Sequence, residues 1–505
     1  ALVATSAAVA FLVRNPDIGP EPPPRCDAIA DAALAPIWNP DRRAALTAAL
    51  ATDGADRAAH LVAQVDAYAA GWRGVREAAC RSARLDHTWP TELEASATRC
   101  LDARGTALDR TVGALTTDPA TRDAATDAIS GLSGFRTCGD PDYLRSAVEV
   151  AIAPALRPRV TALMDRIEAA VLDVSLGRQA AVAAAIPALR AEAASLQHGP
   201  ALAHLDILEG DMARAAGDLR LAIARHLAAY TAARAARDPV QATGAAIALI
   251  WDHGLLGEDT ARATDWAAVA QAEVATLGDR GLAMSVAYAE GALADRRGDL
   301  AQATAHFERA VALATAEFGP DHFATAKVQG ALASVLGAAG RFDEAIGPHR
   351  QAIATLERWE GPDGASLVRM LGNLALTEDS ANQHAAAAAD ARRALAIAER
   401  DGDPERLGTA AHNLGVVLGN AGDHAAASLL FRRAEGTFRD AGLPGAAAGS
   451  VIARLLPGPD AGADARARRE ARAALTAART AVVVAYGPDA PEVADADRAL
   501  AAWAR

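Results

Sequence analysis

Residues Glu317–Phe323 read EFGPDHF, with Asp321 and His322 adjacent in a Gly-Pro turn. A carboxylate beside an imidazole is a pairing that acid–base catalysis uses, and both are metal ligands. Related segments recur: WEGPDGAS (Trp359–Ser366), DGDPERLG (Asp401–Gly408), GLPGAAAG (Gly442–Gly449) and YGPDAPEV (Tyr486–Val493). Their prolines, Pro320, Pro362, Pro404, Pro444 and Pro488, are spaced by 42, 42, 40 and 44 residues. The proline persists, while His322 becomes Gly364 in the second copy and Ala490 in the last. A catalytic dyad would keep its histidine. The segment reads instead as punctuation, in which Gly319 stops one helix, Pro320 prevents its continuation and Asp321 caps the next.

Elsewhere the vocabulary of catalysis is missing. Lys327 is the one lysine in the sequence, so there is no Gly-Lys step for a P-loop and no strand lysine, His-Arg-Asp or Asp-Phe-Gly of a kinase domain. There is no His-Glu-x-x-His, GLSGF (Gly131–Phe135) is not Gly-x-Ser-x-Gly, and no two of the twelve histidines are four residues apart. No catalytic residue, metal or cofactor is expected. Trp38, Trp72, Trp89, Phe307 and Phe431 read as core, and the basic run Arg466–Arg472 as a solvated helix face.

The elements that hold these residues are helical. Of 505 residues, 51% are hydrophobic, 22% charged and only 4% aromatic. Alanine, the best helix former, supplies much of the apolar share, so the fold is expected to be all-α, with helices packed closely on small side chains. The length allows roughly two to four domains or one long repeat array. A net charge of −13, from 50 basic and 63 acidic residues, argues against nucleic-acid binding.

The first residues, ALVATSAAVAFLV (1–13), are apolar and uncharged but shorter than the ~20 residues of a membrane span. With no initiator Met and no basic leader, they read as the trailing part of a transmembrane helix. RNPDIGPEPPPR (14–25) then reads as an extended juxtamembrane linker.

Residues 26–145 hold Cys26, Cys80, Cys100 and Cys138, in helices expected near 40–52, 55–85, 90–117 and 119–132. Asn39 and Pro40 mark a helix start, and Trp89-Pro90 breaks two long helices. Cys80 lies ten residues before Pro90 and Cys100 ten after, at the same height in an antiparallel hairpin. This favours Cys80–Cys100 with Cys26–Cys138, although four cysteines permit three connectivities. Disulfides imply an oxidising compartment, hence an extracytoplasmic location.

From residue 150 to 505 the pattern repeats. Copies starting at Gly298, Gly340, Asn382, Gly422 and Gly462 carry alanine five residues on (Ala303, Ala345, Ala387, Ala427, Ala467) and twelve on (Ala310, Ala352, Ala394, Ala434, Ala474). Leu332-Ala333, Leu374-Ala375 and Leu414-Gly415 precede their starts by eight and seven residues, and a further copy is read from Gly210 with Ala215 and Ala222. These marks resemble the tetratricopeptide repeat (TPR) in its lengthened, kinesin-light-chain-like form. The resemblance implies an α-solenoid of about seven to eight repeats with a concave groove lined by the first (A) helix of each. It also implies a protein or peptide ligand gripped there by Lys327, Arg369 and Thr409 at one A-helix position and Asn373 and Asn413 one turn on.

WRGVREAACRSA (Trp72–Ala83), TRCLDARGTALDRTVGAL (Thr98–Leu115) and CGDPDYL (Cys138–Leu144) resemble the region after the membrane helix in TPR-bearing bacterial receptor serine/threonine kinases. That resemblance implies a membrane-anchored, extracytoplasmic sensor or docking region, whose kinase domain would precede residue 1, and which acts in signal transduction through ligand binding and self-association. The alternative is a free-standing anchored or secreted TPR interaction protein. A cytosolic transcriptional regulator would need a DNA-binding domain and fits poorly with the charge.

Overall fold

The computed structural model describes residues 25–132, 134–146, 153, 155–257, 259–459, 464–488 and 490–504. The expected span (1–13) and all but the last residue of the linker (14–25) lie outside the described residues. Among those described, no helix is long and apolar enough to cross a membrane, and no strand occurs. The fold is all-α: a helical four-cysteine domain followed by an α-solenoid.

The first domain is built from α1 (Cys26–Leu34), α2 (Pro40–Leu50), α3 (Ala55–Arg84), α4 (Thr91–Thr117), α5 (Ala125–Ser130) and α6 (Pro141–Ser146). Asn39 caps α2 through its side-chain oxygen, which accepts from the amides of Asp41 and Arg42 at 3.0 Å each. The long helices α3 and α4 form the expected hairpin around Trp89-Pro90. Leu61, Val65, Leu108 and Leu115 are completely buried. Trp72, 1% exposed, donates its indole N–H to the Leu101 carbonyl at 2.7 Å. A buried ring thus keeps its polar atom satisfied.

All four cysteines form disulfides, but with a different pairing from the one the hairpin favoured: Cys26–Cys80 and Cys100–Cys138, with Cα atoms 5.6 and 5.5 Å apart. Equal height along two helices does not fix direction around them. Cys80 turns toward α1, which the sequence reading left unassigned, and Cys100 toward the 3₁₀ turn Arg136–Gly139. The two bridges therefore staple short peripheral segments onto the long hairpin.

Among the described residues the solenoid consists of eight antiparallel A/B pairs and a final helix. The pairs are α7 (Arg157–Ser175) and α8 (Gln179–Ser195), α9 (Gly199–Ala215) and α10 (Leu219–Ala235), α11 (Pro239–Ile250) and α12 (Thr260–Leu277), α13 (Arg280–Arg296) and α14 (Leu300–Phe318). They continue with α15 (Phe323–Ala338) and α16 (Phe342–Glu360), α17 (Ala365–Ser380) and α18 (His384–Asp401), α19 (Pro404–Asn420) and α20 (His424–Asp440), α21 (Pro444–Leu455) and α22 (Ala465–Tyr486), and end in α23 (Pro491–Ala504).

The repeated alanines are the interlock. Ala303, Ala310, Ala345, Ala352, Ala387, Ala394, Ala427 and Ala434 are each no more than 3% exposed. Volume is also matched where the A helix carries glycine seven before the turn: that glycine faces the residue nine after it. A Cβ on Gly291 would meet the Phe307 ring at 2.9 Å, and one on Gly415 would meet Phe431 at 2.8 Å. Glycine in the A helix makes room for an aromatic ring from B.

This slot corrects two registers. Gly210 is not a turn residue; it lies inside α9, and a Cβ there would strike the His226 ring at 2.4 Å. The turn is Gly217, with φ +80°, so the inward alanines of that copy are Ala222 and Ala229, both fully buried. In the last copy Ala467 is exposed and Ala474 only half-buried, while Ala471 and Ala478 face the core. The longer connection after α21 slides α22 by four residues, close to one helical turn.

Peptide mapping under non-reducing conditions is expected to recover Cys26 joined to Cys80 and Cys100 joined to Cys138. A Cys80–Cys100 peptide would overturn this pairing. Removing either bridge by paired Cys→Ser replacement should lower stability by about 2–4 kcal/mol, measured by urea unfolding.

Candidate functional site

Three turns from a B helix to the next A helix read Gly-Pro-Asp, at Gly319, Gly361 and Gly487. Gly319, Gly361 and Gly487 share φ of +96°, +85° and +88° with ψ of 164°, 174° and 168°. This backbone region is essentially closed to residues with a Cβ, which explains why the glycine is kept. Asp321 does not cap α15 as expected. His322 does, its Nδ1 accepting from the Ala324 amide at 3.2 Å. Asp321 instead pairs with Arg358 of the following B helix at 2.7 Å, and the equivalent Asp363 pairs with Arg400 at 2.5 Å. The aspartate of the motif is an inter-repeat clip, and the two side chains of the apparent dyad are engaged separately.

The five residues expected in the groove lie on three consecutive A helices. Adjacent A helices contact one another, α15 with α17 and α17 with α19. Asn373 is half-buried and donates to the Ser334 hydroxyl at 2.9 Å, linking α17 to α15. The Asn413 amide lies against Gly372, where a Cβ would approach it to 2.8 Å. Thr409 returns its hydroxyl to the Glu405 carbonyl at 2.8 Å. These three are committed to helix packing and local bonding. Lys327 and Arg369 are exposed at matching places on α15 and α17. The Lys327 ammonium lies 5.5 Å from the Phe323 ring centre. Among the described residues neither has an ion-pair partner, so two free cations remain on neighbouring repeats.

Behind Arg369 lies His349 of α16, fully buried with neither ring nitrogen hydrogen-bonded. Burial, helped by the Arg369 charge, pushes its pKa down to about 4. Burial alone does the same to His322 and His412, each to about 4. A second buried cluster joins α9, α10 and the π-turn after α11. There His226 Nδ1 lies 2.5 Å from Asp252 Oδ2, and both residues are fully buried. Burial lowers the His226 pKa, but hydrogen bonds to Asp211 and Asp252 outweigh it and raise it. Neither described cavity reaches this pair, so it acts as a clamp between helices.

The larger surprise is a seam that sequence reasoning did not anticipate. The four-cysteine domain packs on two B helices, α6 on α12 and α3 on α16, and on the first A helix, α4 and α5 on α7. Arg136 Nε donates to the Glu317 carbonyl at 2.9 Å. Arg57 Nε and the Thr126 hydroxyl donate to the Trp359 carbonyl at 3.2 and 2.8 Å. Glu317 and Trp359 are the same repeat position, each one residue before the end of its B helix. Their carbonyls belong to the four that every helix leaves without an internal donor, where a cation is also favoured by the helix dipole. The only sequence trace of this seam is Trp359, an aromatic where a solvated helix end would carry none.

Comparison with known proteins agrees with the repeat geometry. Residues 283–358, spanning most of α13 to α16, match the tetratricopeptide repeat family model. Over that stretch the chain is similar to tetratricopeptide repeats. Comparison with curated proteins returns no match. The crystal structure of BtubC (BKLC) from P. vanneervenii is similar at 24% identity over 44% of this chain and 92% of that one, with a TM-score of 0.40. The crystal structure of the apo form of RapI is similar at 12% identity over 68% of this chain and 97% of that one, with a TM-score of 0.47.

The buried histidines set a pH dependence. A group whose folded pKa lies below its ordinary value of 6.5 binds its proton preferentially in the unfolded chain. Stability is then present above pH 6.5 and is lost as pH falls toward 4. His349→Leu is expected to reduce the loss between pH 7 and pH 5 by on the order of 1–2 kcal/mol, measured by urea unfolding at both pH values. An unchanged loss would refute the neutral buried imidazole.

Proposed function

We propose that this chain is a non-catalytic scaffold that binds an extended peptide or protein segment in the groove of its A helices, and that it is the extracytoplasmic sensor or docking region of a membrane-bound serine/threonine kinase. The observation that carries the binding reading is the pair of unpartnered cations, Lys327 and Arg369, on adjacent repeats of a chain whose net charge is −13. In an acidic protein, two exposed basic side chains in register offer a local place for a peptide carboxylate or a row of backbone carbonyls. The asparagines Asn373 and Asn413 enter this reading as spacers that set the distance between the A helices.

The kinase reading rests on the resemblance of residues 72–144 to the corresponding region of TPR-bearing receptor kinases. The two disulfides support it, since such bridges persist in oxidising compartments. A partner arriving from outside would meet the solenoid, and self-association of the solenoid would bring membrane-anchored copies together.

The binding test uses peptides selected against the wild-type chain from a displayed library. Arg369→Glu is expected to weaken the selected peptides by about tenfold or more, read by calorimetry, because it replaces a charge-assisted contact with repulsion. Helicity by circular dichroism should be unchanged. Equal affinity in wild type, Arg369→Glu and Lys327→Glu would remove the groove site. The kinase reading is checked separately by the coding sequence upstream of Ala1: a kinase domain followed by a span supports it, and a start codon or plain signal sequence favours the free-standing interaction protein.

A further inference from the structure

The seam between the two domains encloses a cavity of about 140 Å³. Its walls are unusual for a chain with so few aromatic residues. Tyr68 and Phe135 come from the four-cysteine domain and meet edge-to-face at 5.0 Å. Phe318, His322 and Trp359 come from the solenoid, Phe318 stacked on His322 at 4.9 Å and His322 edge-on to Trp359 at 5.2 Å. Glu317 also lines the cavity. It is 6% exposed, and its Oε2 has no hydrogen-bond partner among the described residues.

A buried carboxyl oxygen without a donor is a costly arrangement in a finished protein. Arg136 spends its Nε on the Glu317 backbone carbonyl and lays its guanidinium 5.9 Å from the Phe135 ring centre at the mouth. Burial, helped by the Asp279 charge, pushes the Glu317 carboxyl above the usual range despite Arg136 and Arg280. The opposite push on His322, down to about 4, leaves that ring uncharged at neutral pH. The cavity thus presents aromatic rings, a neutral imidazole and a carboxyl group that a bound cation would hold in its charged form.

Aromatic faces with a carboxylate attract organic cations. The choice among cations follows from hydrogen-bond capacity. A primary ammonium carries three donors that need acceptors, and beside Glu317 the lining offers Gln64 and Tyr68, neither of them charged. A quaternary ammonium has no donor and requires only van der Waals contact and charge. Size agrees too, since a cavity of about 150 Å³ accepts a molecule as large as benzene. We propose that this interdomain cavity is a binding site for a small quaternary ammonium compound, held between Tyr68 and Phe135 on one side and Phe318 and Trp359 on the other, with Glu317 as counter-ion.

Because the walls belong to two domains, occupancy ties them together. The site shares no residue with the groove pair Lys327 and Arg369, so it stands whether or not the groove binds peptide. Calorimetry and thermal unfolding of the full chain test it with tetramethylammonium chloride, choline chloride and the uncharged choline isostere 3,3-dimethylbutanol, with sodium chloride as the ionic-strength control. Saturable 1:1 binding of both cations and a raised Tm are expected, with the isostere weaker by about tenfold or more. Glu317→Gln and Phe135→Leu should each weaken choline by a similar factor, while Arg369→Glu leaves it unchanged. Circular dichroism identifies any variant that fails to fold, and the isostere comparison on the wild-type chain stands without variants. No binding of either cation, or equal binding of choline and its isostere, overturns the proposal.

Discussion

Every helix in this molecule ends in carbonyls that its own backbone cannot satisfy, and the way these are met organises the whole chain. At most turns the chain handles the matter locally, through a left-handed glycine or asparagine and a bond back to the preceding turn. At α14 and α16 an additional solution appears: donors from another domain, Arg136 for Glu317 and Arg57 with Thr126 for Trp359. An arginine at a helix C-terminus gains both a hydrogen bond and a favourable dipole interaction. Because the repeats place equivalent carbonyls at regular intervals, one rigid hairpin can reach more than one of them. The disulfides then have a clear mechanical role. They fasten α1 and the turn bearing Cys138 to α3 and α4, holding the neighbouring Arg136 in place.

The same economy of shape governs the solenoid interior. With few aromatics available, the repeats close on alanine, and volume is traded across the A/B slot. Phe307 and Phe431 fit because Gly291 and Gly415 face them, and His226 fits because Gly210 does. A histidine in such a slot has to find polar partners or remain neutral. His226 finds Asp252; His349 finds none and stays neutral. Two chemically different outcomes thus come from one packing position, and neither requires that the histidine do chemistry.

These facts also explain which parts of the structure were legible in advance. Helix content, repeat spacing and the inward alanines follow from side-chain volume recurring along one face, a one-dimensional property. Gly210 was mistaken for a turn because Gly-Asp occurs both there and at Gly217, and sequence alone does not separate a packing glycine from a left-handed one. The disulfide pairing depended on direction around a helix, which a residue count does not give. The seam was hidden most completely, because its key acceptors are backbone carbonyls. Glu317 and Trp359 offer the same oxygen whatever their side chains, so recognition left almost no mark on residue type. Of the groove residues, sequence placed all five on A helices, but only the structure separates the packed Asn373, Asn413 and Thr409 from the free Lys327 and Arg369.

The opening motif now has a more specific meaning. Gly319 is required by a backbone conformation that excludes side chains, and Asp321 by an ion pair with the next repeat. His322 is required by neither, which is why later copies drop it. It lies at the seam with the four-cysteine domain, with its ring between Phe318 and Trp359 and its Nδ1 capping α15. A neutral imidazole suits that position: it caps the helix on one side and offers an aromatic surface on the other. The residue that looked catalytic in sequence therefore serves as a helix cap and as part of the aromatic lining of the seam.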